Sequence, residues 1–178
     1  MHETPDELSA LDRLLTESLH RSTEHLRSIV TEGEHTLDAA ETCQVLTGMR
    51  TLALATVTAR GEPRISGVDG HFLHATWVFT TSGTSAKAGH LRSRPAVSVA
   101  HIIGDDLGVF CHGQVEELTE DHPDRAAVEA HLTAHYGSSP SSWGPEILYA
   151  RVQPDWMVTY AFAKDRILAD AADGDAAT

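Results

Sequence analysis

The N-terminal part of the chain places apolar residues at helical spacing. Within residues 5–30, leucine and isoleucine recur every three or four positions, at Leu8, Leu11, Leu15, Leu19, Leu26 and Ile29. This period is that of one helix face, and Thr4-Pro5 is a typical helix start. Residues 31–40 predict a linker that leads into a further helical turn around Ala39–Leu46, which Gly48 ends. Residues 1–46 are therefore predicted to be an N-terminal helical segment.

The middle of the chain changes to short apolar and β-branched runs separated by turns. A run of this kind with turn residues at its ends predicts a strand. Five predicted strands cover Thr51–Val57, Arg64–Val68, Trp77–Thr81, Ala96–Ile103 and Leu107–Leu118. Between the third and fourth of these, Ser85 is a good N-cap for a short helix over Ala86–Ser93.

The C-terminal third mixes both periods. Val128, Leu132 and Tyr136 lie at helical spacing and predict a helix over Asp121–Tyr136. Two further strands are predicted, Glu146–Val152 and Trp156–Phe162. Residues 169–178 are small and acidic, so we predict a disordered tail there.

These elements predict a mainly β protein with flanking helices. Most neighbouring strands are joined by short turns, which favours antiparallel pairing and disfavours a doubly wound parallel sheet. Several strands are apolar on both faces, as in Thr51–Val57, and such strands suit a closed or partly closed barrel covered by helices. We expect this barrel domain to span residues 47–168.

Composition and charge exclude several functional classes. The 178 residues are 41% hydrophobic and 22% charged, as in a soluble globular protein, and no apolar run approaches bilayer length. The net charge of −13 disfavours a nucleic-acid partner. The acidic N-terminus does not resemble a secretory signal, and two cysteines are too few to staple this fold. We therefore expect a cytoplasmic protein that binds neither nucleic acid nor membranes.

The basic residues are concentrated in the middle of this acidic chain. Residues 43–102 contain six basic and only two acidic residues. A local positive segment in an acidic protein suits a small anion such as one phosphate group. The alternative is that these bases only solvate the surface or pair with acidic residues elsewhere.

The segment Val78–Arg94, VFTTSGTSAKAGHLRSR, carries the most specific chemistry. A strand ends in two threonines, a Gly/Ser/Thr loop follows, and a helix begins after Ser85 with Lys87 in its first turn. Free N–H groups at a helix N-terminus bind anions, and hydroxyls and a lysine add donors. Lys87 lies between two alanines, so the segment is not a Walker P-loop. An ordinary N-cap beside a solvated lysine is the alternative interpretation.

These segments resemble the flavin-binding split β-barrel family, the pyridoxamine 5′-phosphate oxidase-like and FMN-binding proteins. The resemblance rests on ARGEP at 59–63, RISGVDGHF at 64–72, WVFTTSGTSAKAGHLRSRPAV at 77–97 and VFCHGQVEEL at 109–118. The run PDWMVTYAF at 154–162 is similar to the last strand of the family. The resemblance implies an antiparallel split β-barrel that forms a homodimer with cofactor sites at the interface.

The resemblance also implies which residues face the cofactor. Ser85 and Lys87, with Ala86 between them, would face its phosphate, and Thr80 and Thr81 would lie beside it. The strand segment Ser66, Gly67, Val68 and Asp69 would run along the flavin ring, with Arg64 at its start.

The chain departs from the vitamin-processing oxidases at three positions. Those enzymes have an arginine and a lysine where this chain has Ser66 and His71, and a basic residue where it has Ala86. The resemblance therefore implies a flavin-dependent oxidoreductase acting on an unidentified small molecule, with FMN as the cofactor and without a catalytic side chain. Deazaflavin coenzyme F-420 and haem are the alternative cofactors. The alternative function is a non-catalytic flavin- or haem-binding protein for storage, sensing or haem handling.

Histidines and cysteines offer weaker candidates. His131 and His135 lie at i, i+4 on a predicted helix without the glutamate of a zincin, so we predict a solvated helix face. His71 and His74 flank a turn, and His101 and His112 would approach each other across the Asp105-Asp106 hairpin. Each of these four is a candidate ligand of haem or a metal. We predict no metal site, and we predict that Cys111 is a buried, inert thiol.

Overall fold

The computed structural model describes residues 3–175, which form six α-helices and six strands. The helices are α1 (Pro5–His20), α2 (Glu24–Ile29), α3 (Ala39–Val45), α4 (Ala86–Ser93), α5 (Arg125–Tyr136) and α6 (Lys164–Asp175). The strands are β1 (Met49–Val57), β2 (Pro63–Leu73), β3 (Thr76–Ser82), β4 (Ala96–Ile103), β5 (Leu107–Glu117) and β6 (Ile147–Ala161). None of these helices is long and apolar enough to cross a membrane.

The six strands close into one antiparallel barrel in the order β1-β2-β3-β6-β5-β4. This confirms the predicted split-barrel fold with flanking helices. Buried and exposed residues alternate along β1 and β4, so one face of each strand points to the interior of the barrel. Leu52, Leu54 and Phe79 are completely buried there and belong to the main core.

The barrel splits between β2 and β3. Their ladder runs only from Leu73 opposite Thr76 to Gly70 opposite Phe79. Beyond that pair, the first half of β2 continues along β1 alone, while the end of β3 continues along β6. At the split, β2 and β3 therefore each have one backbone edge that is not paired with the other strand.

The N-terminal segment differs from the single long helix predicted for residues 5–30. The helix ends at His20, and α2 begins after Thr23, whose side chain accepts a hydrogen bond from the Leu26 N–H. The break lets the chain turn so that Leu19, Val30 and Val158 form one small apolar cluster. On the other side of the break, Ser18 of α1 binds β6, since its Oγ accepts from the Met157 N–H at 3.0 Å.

The end of the chain corrects two predictions. The two strands predicted over Glu146–Val152 and Trp156–Phe162 are one continuous strand, β6, with a bulge opposite Gly113. The tail predicted to be disordered from Ala169 is instead the second half of α6. That helix is held because Ile167, Leu168 and Ala171 pack against the core. The remaining predicted tail residues, 176–178, lie outside the described residues.

Candidate functional site

The split brings together the end of β3, the start of α4 and the free edge of β2. If the β2–β3 ladder continued, Asp69 would face Thr80 and Val68 would face Thr81, but the pairing stops one step earlier. Alternate residues of an antiparallel strand turn their N–H and C=O away from the paired neighbour. The unpaired edge of β2 therefore offers a row of backbone donors and acceptors to a ligand in the split.

The start of α4 supplies donors for an anion. Ser85 is its N-cap and accepts a hydrogen bond from the Ala88 N–H, so the helix axis is fixed at this point. The N–H groups of Ala86 and Lys87 occupy the first two helical positions, where an α-helix provides no internal acceptor. Lys87 Nζ lies 3.4 Å from Thr81 Oγ1, to which it donates a hydrogen bond. A phosphate beside Thr81 would meet two backbone N–H groups and one ammonium.

The other cations of the basic segment are already engaged with the protein. Arg60 and Arg64 pair with Glu62, and Arg92 pairs with Glu117 and Glu146. The guanidinium of Arg50 donates to the Val45 carbonyl, and that of Arg94 donates to the Val57 carbonyl, as hydrogen bonds of 2.8 and 2.9 Å. Lys87 instead contacts a neutral hydroxyl, so its charge is the one in this segment best placed for an external anion.

The predicted residues of β2 do not all lie at the split. Ser66, Gly67, Val68 and Asp69 line the unpaired half of the strand, and Val68 is buried, so only its backbone can meet a ligand. Arg64 lies at the far end of this half, and its guanidinium is 2.8 Å from Glu62 Oε2. The geometry therefore groups nine of the ten predicted residues around the split and places the Arg64 head at the β1–β2 turn.

A broad outer sheet face borders the free edge of β2. Ala53 of β1 pairs with Gly67 of β2 on one side and with Ala100 of β4 on the other, so three small residues lie side by side. Large apolar side chains flank them, since Ile65 is 76% exposed and Ile102 is 53% exposed. We call this surface of β1, β2 and β4 the outer face.

The histidines are placed differently from the sequence-based expectation. His101 is buried opposite Val109, whereas His112 lies opposite Ser98, is exposed and stacks on Trp156, so the two do not approach each other. The helix face of His131 and His135 is not simply solvated, because His71 lies buried against both rings. Within residues 3–175, no group of three or more His, Cys, Asp or Glu side chains has a metal-binding arrangement.

The contact between His71 and α5 is a feature that sequence reasoning missed. His71 Nε2 lies 3.1 Å from the Tyr136 hydroxyl, which in turn donates to Asp69 Oδ2 at 3.4 Å. The sequence signal was present but incomplete: a His pair at helical spacing beside a tyrosine marks a polar helix face, without identifying the strand that it meets.

The cysteines and a cavity between α1 and β6 lie apart from the split. Burial raises the pKa of the Cys111 thiol to about 12, and that of Cys43 likewise to about 12, which suits inert thiols. A cavity of about 280 Å³ lies between α1, the 31–38 loop and β6, with a floor of Leu15, Leu37 and Val158. No predicted site residue lines that cavity.

Known structures share the fold at low sequence identity. The conserved hypothetical protein Rv2991 from Mycobacterium tuberculosis is 19% identical with a TM-score of 0.63, covering 76% of this chain and 91% of its own. HutZ, the haem storage protein from Vibrio cholerae, is 19% identical with a TM-score of 0.58, covering 68% and 93%. An FAD-binding protein from Mesorhizobium loti is 21% identical with a TM-score of 0.56, covering 70% and 93%.

At the level of sequence, no curated protein matches the chain. A family model described as pyridoxamine 5′-phosphate oxidase does match it, over residues 39–159. That range begins at α3, contains β1 to β5 and all of β6 except its last two residues, and includes the whole split with Lys87. Because the match spans more than half of the sequence, the protein belongs to the pyridoxamine 5′-phosphate oxidase family.

Proposed function

We propose that this protein is an FMN-dependent oxidoreductase that acts on a small molecule, with the cofactor bound at the split. The observation that carries the proposal is the position of Lys87, whose ammonium lies beside Thr81 at the start of α4 and has no carboxylate partner within residues 3–175. A phosphate there would be bound by charge, by helix N–H groups and by the hydroxyls of Thr81 and Ser85. Family membership supports a phosphorylated ligand, but it does not identify the reaction.

The ring of the cofactor would lie along the free edge of β2. Gly67 and the neighbouring Ser66 leave room beside the backbone, since nothing lies within 4 Å of a Cβ built at Gly67. Unpaired N–H and C=O groups of this strand can hydrogen-bond the polar edge of a flat heterocycle. When bound, a flavin supplies the hydride chemistry itself, and the protein contributes binding, orientation and a shielded surface.

Shielding requires a second copy of the chain, because the split opens beside the exposed outer face. We propose a homodimer in which the outer faces of two copies meet and each covers the cofactor of the other. The small residues Ala53, Gly67 and Ala100 allow two sheets to approach closely, and Ile65 and Ile102 supply apolar area to bury. The two buried, unpaired cysteines fit a reducing compartment, and we place the protein in the cytoplasm.

The Ile65→Asp variant tests the dimer. A carboxylate introduced on the outer face would be desolvated on association, so we expect monomers where the parent protein is dimeric, and weaker FMN binding. Sedimentation equilibrium at micromolar concentration measures the mass. The matched control is Ile29→Asp, which makes the same exchange at a 43% exposed site on α2 and should stay dimeric. A monomeric parent protein with FMN bound would contradict the proposed assembly.

A non-catalytic flavin- or haem-binding role is the second candidate. The exposed His112, stacked on Trp156 at a ring distance of 4.7 Å, is an imidazole that a haem could approach from solvent. That arrangement provides one imidazole, whereas the split provides several donors suited to phosphate. The geometry therefore favours FMN over haem, and coenzyme F-420 would use the same phosphate donors.

Parallel titrations test the proposed function. The purified protein is titrated with FMN, coenzyme F-420 and haemin, each followed by its absorbance spectrum. We expect FMN to bind with one molecule per chain and the bound FMN to be reduced by a nicotinamide donor and reoxidised by an added acceptor. Binding of haemin alone would reject the flavin site. Binding of FMN without any turnover would favour the non-catalytic role.

A further inference from the structure

Four side chains link the helix α5 to the split. His131 Nε2 lies 3.2 Å from His71 Nδ1, His71 Nε2 lies 3.1 Å from the Tyr136 hydroxyl, and Tyr136 lies 3.4 Å from Asp69 Oδ2. The series starts on α5, passes through the buried His71 of β2, returns to α5 and ends at an exposed carboxylate. That carboxylate belongs to the last residue of β2 before the ladder with β3 begins.

The donors and acceptors in this series fit one direction only. A carboxylate accepts hydrogen bonds, so the single Tyr136 proton is donated to Asp69. The Tyr136 oxygen must then accept from His71 Nε2–H, which leaves His71 Nδ1 without a proton if the ring is neutral. His71 Nδ1 consequently accepts from His131 Nε2–H. The chain of donors runs from His131 to Asp69 without a conflict.

The surroundings of His71 keep its ring neutral. Burial, together with the neighbouring charges of His131 and His135, lowers the pKa of His71 to about 4. The strands on either side oppose His71 with Met49 of β1 and Val78 of β3, which do not titrate. Asp69 and Tyr136 lie on the split side of the ring, and Glu3 and Cys43 line a small pocket together with His131.

We propose that Tyr136 is a positioning residue that holds Asp69 at the mouth of the split, with its own hydroxyl oriented by the neutral His71. The proposal rests on the proposed function, because Asp69 matters to a cofactor only if β2 carries the ring. The apolar contacts of α5 come from Val128 and Leu132, which are buried in a separate cluster, and from the Tyr136 ring, which is partly buried against the same cluster. The Tyr136 ring therefore helps to anchor the helix, while its hydroxyl contacts His71 and Asp69.

A double-mutant cycle with FMN as the probe tests whether Tyr136 acts through Asp69. Tyr136→Phe removes only the hydroxyl, and we expect it to weaken FMN binding roughly three- to tenfold. We expect Asp69→Ala to weaken FMN binding by the same factor. The double variant should bind no more weakly than Asp69→Ala alone, because coupled residues are not additive. Additive losses would show that Tyr136 does not act through Asp69. Equal affinity of Tyr136→Phe and the parent protein would also reject the positioning role.

A rescue variant separates positioning from general stability. His71→Gln keeps a side-chain N–H near the position of Nε2 without a titrating ring, so we expect it to bind FMN within about twofold of the parent protein. His71→Ala removes the donor and should lose affinity as Tyr136→Phe does. The matched control is His25→Gln at an exposed site on α2, which should leave affinity unchanged. A loss in His71→Gln as large as in His71→Ala would reject the orienting contact.

A ligand-free measurement distinguishes failure of this inference from failure of the proposed function. Nitrogen NMR spectra of the histidine rings in the parent protein without FMN report the tautomer directly. We expect His71 to be neutral at pH 7 with its proton on Nε2, and to take up a second proton only well below its ordinary pKa of 6.5. A proton on Nδ1, or titration near pH 6.5, would overturn the proposed chain whether or not the protein binds FMN.

Discussion

Replacing Lys87 with alanine is expected to weaken FMN binding by about ten- to a hundredfold while leaving riboflavin binding almost unchanged. A charge-assisted hydrogen bond is worth roughly 1.5–3 kcal/mol, and riboflavin lacks the phosphate that would receive it. Within the described part of the chain, the Lys87 ammonium hydrogen-bonds the Thr81 hydroxyl and pairs with no carboxylate, so its loss leaves no buried charge without a partner. The unfolding midpoint of the protein without ligand should therefore change little.

The sequence itself supplies the control for this experiment, because it has only two lysines. Lys164 donates to the Thr36 carbonyl and pairs with Glu41 Oε2 at 2.8 Å, where the start of α6 meets α3. Lys164→Ala should lower the stability and leave FMN affinity intact, the reverse of Lys87→Ala. If Lys87→Ala weakened FMN and riboflavin equally, Lys87 would act through the structure and the phosphate assignment would fail.

Replacing Gly113 with alanine is expected to cost about 2–3 kcal/mol of unfolding free energy, because overpacked sites must move their neighbours. A Cβ at Gly113 would lie 2.0 Å from the Gln153 carbonyl oxygen and 3.0 Å from Pro154 Cα. Both contacts are with backbone, so no rotamer change can relieve them. The β5–β6 ladder changes register at this position, and the strand would have to separate there.

Gly89→Ala is the matched control, since it adds the same methyl group at a site with nothing within 4 Å. Gly89 lies inside α4, where alanine is more favourable than glycine by up to about 1 kcal/mol. Urea unfolding of the two variants should therefore show shifts of opposite sign. A Gly113→Ala protein as stable as the parent would mean that the bulge adjusts freely.

The barrel could be predicted from the sequence because its strands are short, β-branched and separated by turn residues. The continuity of β6 could not, since Pro154 and Asp155 interrupt the apolar run and are typical of a strand end. In the fold they occupy a bulge, which the missing side chain of Gly113 permits. The sequence also did not predict α6, because its alanines and aspartates are typical of a disordered tail. The helix is stabilised by the packing of Ile167 and Leu168 against the core, which the local sequence does not reveal.

The candidate site, too, could be predicted only in part from the sequence. The TTSGTSAK run predicts a helix that begins after an N-cap at Ser85, and the structure of α4 confirms this prediction. The roles of the ten site residues in cofactor binding stay predictions. The contact of Tyr136 with Asp69 joins positions 67 residues apart, and no local pattern specifies such a pair. Likewise, Arg64 matched the family motif, but its ion pair with Glu62 depends on how the β1–β2 turn folds.

Amide chemical-shift changes on addition of FMN test most directly whether the split is the cofactor site. We expect the largest changes at residues 66–69 of β2, at Thr80 and Thr81, and at the first-turn amides of Ala86 and Lys87. Riboflavin should reproduce the changes on β2 and omit those at the start of α4. Changes confined to the cavity between α1 and β6, around Leu37 and Thr159, with none at the split, would contradict the proposed site.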